Sequence, residues 1–224
     1  GDIYYFAARR LNLGLFQKDI NVAWDLAPHD ISIILYLMED HPVSVNCQGK
    51  SHITPGIEDV TNMTLNFSNG GIATIHSSWL DPNKIREMTI VGSKKMIVFD
   101  DIEPIMKLKV FDKRVERPPH YDSYAEFNYS YHNGDMYAPY LKHVEPLKVE
   151  AQQFIDTIIN DVPNPTDGIN GLRIVQILEA ADKSLANNGE AAPVDFEAEV
   201  AANANGKSNQ HTDPAKLYLK TAIQ

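Results

Sequence analysis

The sequence predicts an α+β domain of two layers, an open, predominantly antiparallel β-sheet with helices packed on one face. Three observations predict it. Residues 43 to 112 break into short β-rich segments separated by tight turns, one strongly apolar helix precedes them, and two amphipathic helices follow. Consecutive strands with short links must pair antiparallel, because a parallel partner needs a crossover of about a dozen residues or more.

The opening Ile3-Tyr4-Tyr5-Phe6-Ala7 is β-branched and aromatic and reads as a strand, followed by a polar loop around Asn12-Leu13-Gly14. From Trp24 the pattern becomes helical. Leu26, Ala27, Ile31, Ile33, Ile34, Leu35, Leu37 and Met38 cover nearly every side, which predicts a helix buried between two layers. Asp25 as a capping side chain and Pro28 in the first turn mark its start, and Pro42 follows its end. Met63, Leu65 and Phe67 then alternate with Asn62, Thr64 and Asn66, the signature of a strand with one buried face. Asn69-Gly70 supplies the positive φ angles of a tight hairpin. Residues 72 to 80 return, 84 to 91 run on after Asp81-Pro82, and Lys95 to Phe99 and Ile105 to Phe111 complete the strands. Residues 113 to 145, rich in Tyr, His, Pro and Asn, read as a long irregular loop. Pro146 opens a helix with Leu147, Phe154, Ile155, Ile158 and Ile159 on one face, closed by Pro163-Asn164-Pro165. Asp167 starts another, carried by Ile174, Ile177, Leu178, Ala181 and Leu185 and ended by Asn188-Gly189. From residue 195 apolar periodicity disappears, so 1–194 reads as the folded domain and 195–224 as a polar, mobile tail.

Composition narrows the function classes. Thirty Asp and Glu against 20 Lys and Arg leave the 224-residue chain with a net charge of -10, which argues against nucleic acid or an anionic membrane surface as partner. The single cysteine, Cys47, allows no internal disulfide, fits a reducing compartment and reads as a small buried apolar residue. No window approaches about 18 consecutive apolar residues, so no bilayer-spanning helix is expected and the expected location is cytoplasmic.

The sharpest chemical feature is Asp25-Leu26-Ala27-Pro28-His29-Asp30, which places a carboxylate and an imidazole four residues apart on one side of a helix. Two readings stand: a helix cap beside a satisfied core histidine, or an acid/base pair. For the second, the positive end of the helix dipole favours a neutral His29, while Asp25 pulls the other way. Lys84 and Arg86, two apart on an expected strand, would share a face and could grip a phosphate or carboxylate. Trp79 beside them reads as core or as a platform for a sugar ring. Lys94-Lys95 reads as a solvated turn. His120, Tyr121, Asp122, His132 and Asp135 resemble metal ligands only as a list, and no metal site is expected. Sequons at Asn62, Asn66 and Asn128 are near chance frequency, and two lie on an expected strand. The chain has no Gly-x-Gly-x-x-Gly or Gly-x-Ser-x-Gly motif, and its two Gly-Lys-Ser triplets, at 49–51 and 206–208, lack the earlier glycine of a Walker Gly-x-x-x-x-Gly-Lys-Ser/Thr loop.

The element order and the residues Arg10-Leu11-Asn12-Leu13-Gly14, Asn21-Val22-Ala23-Trp24-Asp25-Leu26-Ala27-Pro28-His29-Asp30, Ser78-Trp79-Leu80-Asp81-Pro82-Asn83-Lys84-Ile85-Arg86 and Val91-Gly92-Ser93 together resemble the C-terminal domain of the glucose-fructose oxidoreductase, inositol dehydrogenase and rhizopine-catabolism (Gfo/Idh/MocA) family, over roughly residues 1 to 194. The likeness is greatest to members acting on sugars and nucleotide sugars. The resemblance implies that His29 is the acid/base histidine and Asp25 its preceding carboxylate, with Lys84, Arg86, Trp79 and Asn12 at the substrate. It further implies NAD or NADP on an N-terminal Rossmann domain, which this chain does not contain, and a homo-oligomer built through the sheet face. Gly1-Asp2-Ile3 looks like the turn leading out of that domain. On this reading the chain alone binds no cofactor and is inactive; an assembly module of the same fold without catalysis is the alternative.

Overall fold

The computed structural model describes residues 1–116, 130–142, 144–164 and 166–196. Two compact units are present: Gly1–Tyr140 with Ile177–Val194, and Leu141–Gln176 with the residues from Asp195. Among the described residues the first unit holds nine strands, β1 (Ile3–Leu13), β2 (Pro42–Lys50), β3 (Val60–Phe67), β4 (Ile72–Ser78), β5 (Leu80–Gly92), β6 (Met96–Asp100), β7 (Leu108–Glu116), β8 (Ser130–Tyr137) and β9 (Ala192–Pro193). They form one sheet in the order β8-β7-β6-β5-β1-β4-β3-β2-β9. Helix α1 (Val22–Met38) and the second half of α3 (Gly168–Ala186) belong to this unit, while α2 (Pro146–Asn160) and the first half of α3 belong to the other.

The sheet is antiparallel except where β1 lies beside β4. There the pairing is parallel, because α1, β2 and β3 intervene and supply the crossover. One face is apolar: Phe6, Ala8, Met88, Ala73, Ile75, Met63, Leu65, Val45 and Cys47 are all buried. Ala23, Ala27, Ile31 and Ile34 of α1 and Ile177, Leu178 and Ala181 of α3 are buried with them. The other face is open and carries Ser44, Asn46, Asn62, Thr64, Thr74 and His76.

Several expectations change at the level of single residues. Helix α1 starts at Val22, not near Asp25: the side chain of Asn21 accepts from the N–H groups of Ala23 and Trp24, so the cap lies four residues earlier. Pro28 consequently stands inside the helix. Ile33 and Tyr36 are exposed, so α1 buries one stripe and is not enclosed between layers. At the 69–70 hairpin only Gly70 has a positive φ, of 85°, and the Phe67 N–H bonds to Gly71 across a three-residue loop. Strand β1 continues through the expected Asn12 loop to Leu13, and β5 begins before Asp81-Pro82. Pro82 is tolerated because the ladder jumps from Leu13–Leu80 to Leu11–Ile85, setting four residues of β5 against Asn12 alone. Residues 113 to 145 are less irregular than expected, since β7 reaches Glu116 and β8 lies within them. His120, Tyr121, Asp122 and Asn128, and the tail beyond Phe196, lie outside the described residues.

Candidate functional site

The candidate site begins with a charged row where β1 passes beneath α1. Phe6, Ala8 and Arg10 alternate onto the helix-facing side of β1. The next position in that apolar series is therefore a guanidinium, which needs a partner. Asp30 provides it, one residue after His29: Arg10 donates from Nε to Oδ2 and from Nη2 to Oδ1, both at 2.9 Å. The side chains are 13% and 6% exposed, so the pair is nearly dry. Arg86 of β5 lies opposite Arg10 in the β1–β5 register, which brings a second cation to the same row.

His29 stands exposed at the rim of this cluster. Its pKa is lowered from the ordinary 6.5, first by partial removal of water around the ring and next by the Arg10 charge; Arg86 adds to this, while Asp30 and Asp25 oppose it. The imidazole is therefore neutral at pH 7 and can accept a proton. The helix dipole contributes little here, because with α1 starting at Val22 the histidine lies beyond its first turn.

Asp25 does not cap the helix. Its Oδ2 accepts the indole N–H of Trp79 at 2.8 Å. Trp79 is 1% exposed and lies against Phe16, their ring centroids 5.5 Å apart. It thus supports the site from below and presents no open face for a sugar to stack on. Gly14 makes this packing possible, since a Cβ there would meet Trp79 Cδ1 at 2.9 Å and the Asn12 amide at 3.2 Å. The Trp79 backbone N–H reaches the Asp59 carbonyl at 3.0 Å, and Asp59 is itself fixed by the His52 and Ile53 N–H groups and by His52 Nδ1.

The structure brings His29, Asp25, Trp79, Arg86 and Asn12 to the β1–α1–β5 region. Lys84 is only loosely included: it is exposed in the four-residue excursion of β5 opposite Asn12, so strand alternation does not set its direction. Arg10, Asp30 and Asn21 stand in the motifs that carry the family resemblance without a role of their own there, and the sequence does not single out the His52–Asp59 pair. The first two carried a signal, a charge in each of two otherwise apolar stripes that face one another.

Elsewhere, Lys95 lies over the Tyr137 ring at 5.5 Å and His132 bonds to Asp112 at 2.9 Å. Cys47 is fully buried, and burial first, then Asp182 and Glu58, push its thiol up to about 12, so it behaves as an apolar side chain. Among the described residues no group of three or more His, Cys, Asp or Glu could hold a metal ion, and no helix is long and apolar enough to cross a membrane. A cavity of about 450 Å³ opens away from His29, between β2 and the end of α3, lined by Cys47, Gln48, Gly49 and Gly189 among others.

At the starts of α1 and α3 the described residues offer no cradle for a dinucleotide. The starts of α1 and α3 spend N–H groups on the chain's own Asn21 and Asp167 side chains, and no glycine-rich turn precedes either.

Comparison with known proteins agrees with this architecture. Residues 16–98 match the model of the GFO/IDH/MocA C-terminal domain. UDP-N-acetylglucosamine 3-dehydrogenase from Acidithiobacillus ferrooxidans superposes with a TM-score of 0.67 at 21% identity, covering 85% of this chain and 56% of that one. Aldose-aldose oxidoreductase from Caulobacter crescentus gives 0.63 at 14% identity, over 86% and 56%. Levoglucosan dehydrogenase in complex with NADH and L-sorbose gives 0.60 at 16% identity, over 87% and 59%. The chain thus spans little more than half the length of these structures. No curated protein matches it in sequence. In sequence over residues 16–98 and in fold over the described residues, the chain resembles the C-terminal domain of the GFO/IDH/MocA oxidoreductases.

Proposed function

We propose that this chain is the substrate-binding and acid/base half of an NAD(P)-dependent oxidoreductase acting on a CH–OH group of a sugar, nucleotide sugar or inositol. The observation that carries the proposal is the place of the His29 imidazole, at an accessible rim next in sequence to the buried Arg10–Asp30 pair, where loss of water and the Arg10 charge disfavour its protonated form. In this reading His29 accepts the hydroxyl proton as the carbinol becomes a carbonyl. The hydride acceptor is a nicotinamide dinucleotide held outside the described residues. Asp25 holds Trp79 beneath the site and faces the imidazolium once it forms. Lys84, Arg86 and Asn12 contact the substrate.

The open sheet face, with its row of Asn, Thr and Ser side chains and the exposed Tyr5 and Ile72, is where a second copy docks in this reading, and the compartment is the cytoplasm. Sedimentation of the purified chain tests the assembly. The activity is tested by expressing the complete reading frame and screening nucleotide sugars, free sugars and inositols for NAD and NADP reduction, with His29→Asn beside the wild type. Reduction that depends on His29 supports the reading; equal rates in the two proteins would remove the proton-accepting role from this residue.

A further inference from the structure

Two arginines directly opposite each other on neighbouring strands repel, and such a pair persists only with compensation. Arg10 is compensated in full, both arms of its fork engaged by Asp30 at 2.9 Å. Arg86 is not. Its carboxylate neighbour is Asp101, at 3.7 Å and beyond hydrogen-bond reach, and that same carboxylate is already bonded to Lys107 at 3.1 Å. The Arg86 side chain is 44% exposed, and Lys84, two residues away, has no ion pair among the described residues. This surplus of positive charge sits in a chain of net charge -10, so it does not follow from the overall composition.

A guanidinium offers a planar fork of N–H donors that matches a carboxylate or phosphate edge, and the clamped Arg10 behind it cannot supply one. Resting on the reading of His29 as the proton acceptor, we propose that the substrate carries an anionic group, phosphate or carboxylate, which seats on Arg86, with Asp101 as the placeholder it displaces. Neutral sugars and inositols would leave Arg86 with no charged partner but Asp101, at 3.7 Å. The substrate class narrows to sugar phosphates, nucleotide sugars and sugar acids.

Calorimetric titration of the purified chain with UDP, inorganic pyrophosphate, D-glucuronate and D-glucose tests this. At least one anion should bind, more tightly than glucose, and Arg86→Ala should weaken it by about tenfold or more. Asp101→Asn should tighten it, and Lys50→Ala, several strands away, should leave it unchanged. Binding of UDP and pyrophosphate alone assigns the group as phosphate; binding of glucuronate alone assigns it as carboxylate. Glucose binding as tightly as every anion, no anion binding at all, or an Arg86→Ala affinity within about twofold of wild type would each overturn the proposal. Anion affinity is read on Arg86→Ala by calorimetry and proton transfer on His29→Asn by kcat in the complete protein, so the failure of one reading is separable from the failure of the other.

Discussion

Two regions of the first unit combine arginine, aspartate and histidine, and they are built differently. In the β1–α1–β5 cluster, Arg10 and Asp30 come from different elements and are almost dry. At the far edge of the sheet, Asp112, Arg114 and Glu116 sit two apart along β7, with His132 across on β8, and all are 28% to 50% exposed. The distances overlap: Arg114 bonds Glu116 at 2.6 Å and Asp112 at 3.1 Å, against 2.9 Å for Arg10 and Asp30. What separates the two regions is the water around them, which screens the edge pairs and leaves the buried ones at nearly full strength.

The largest effect that would break this comparison is catalytic. In the complete protein, assayed for the proposed oxidation, His29→Asn should lower kcat by about 10²–10⁴-fold, the range for losing a positioned acid/base group, while His132→Asn leaves it unchanged. Circular dichroism should show both variants folded. A kcat for His29→Asn within about threefold of wild type would reduce the histidine to a packing residue and make the two clusters alike.

Next in size is stability. Arg10→Met strands the buried Asp30 carboxylate and should cost about 3–5 kcal/mol in urea unfolding. Arg114→Met, on an exposed edge, should cost about 1 kcal/mol or less. Equal losses would show that burial is not what distinguishes the clusters. The double variant Arg10→Met/Asp30→Leu should recover most of the loss, because no unpaired charge remains.

These two clusters also mark what could be read from the sequence. The three helices and the strands from β1 to β7 are legible because they depend on local periodicity, as with Met63, Leu65 and Phe67, whereas β8, inside the expected loop, and the two-residue β9 are not. His29 and Asp25 were found by their spacing on one helix. The role of Arg10 is not legible because it depends on a strand meeting a helix twenty residues away, and Asp25 reads as a cap only until Asn21, a better-placed acceptor, is seen to fill that place. Lys84 was placed by strand alternation that the four-residue excursion of β5 interrupts. Such errors share a cause: pairing between elements fixes direction and partner, and a single element's pattern does not contain it.

A smaller test concerns Trp79. Replacing it with Phe keeps one six-membered ring and removes the pyrrole ring with its N–H, leaving the Asp25 carboxylate short of a donor; the lost bond alone should cost about 1–3 kcal/mol. If Asp25 matters to catalysis through its placement, Trp79→Phe should lower kcat by a smaller factor than Asp25→Asn. A stability loss with kcat intact would confine the Trp79–Asp25 bond to packing.

The smallest expected effect is a pair of pH slopes. Both His29 and Asp112 have lowered pKa values, for opposite reasons. At His29 the surroundings disfavour the charged form, through loss of water first and Arg10 next. At Asp112 they favour it, first through the hydrogen bond from His132, with desolvation next and opposing, and then through the charges of His132 and Arg114. In each case the unfolded chain binds more protons than the folded one just below the ordinary pKa, so stability falls as pH falls. The windows differ. His29 contributes stability that is present above its ordinary 6.5 and is lost as pH drops from there through the folded value. Asp112 contributes stability present above 3.8 and lost only below it. Unfolding free energies measured from pH 7.5 to 3 should therefore show His29→Asn flattening the upper part of the profile and Asp112→Asn the lower, each leaving the other part as it was. A profile unchanged near pH 6 in His29→Asn would mean that the imidazole is as well solvated as any surface histidine, and its neutrality at pH 7 would then rest on the ordinary value of 6.5 alone, with no contribution from Arg10 or from burial.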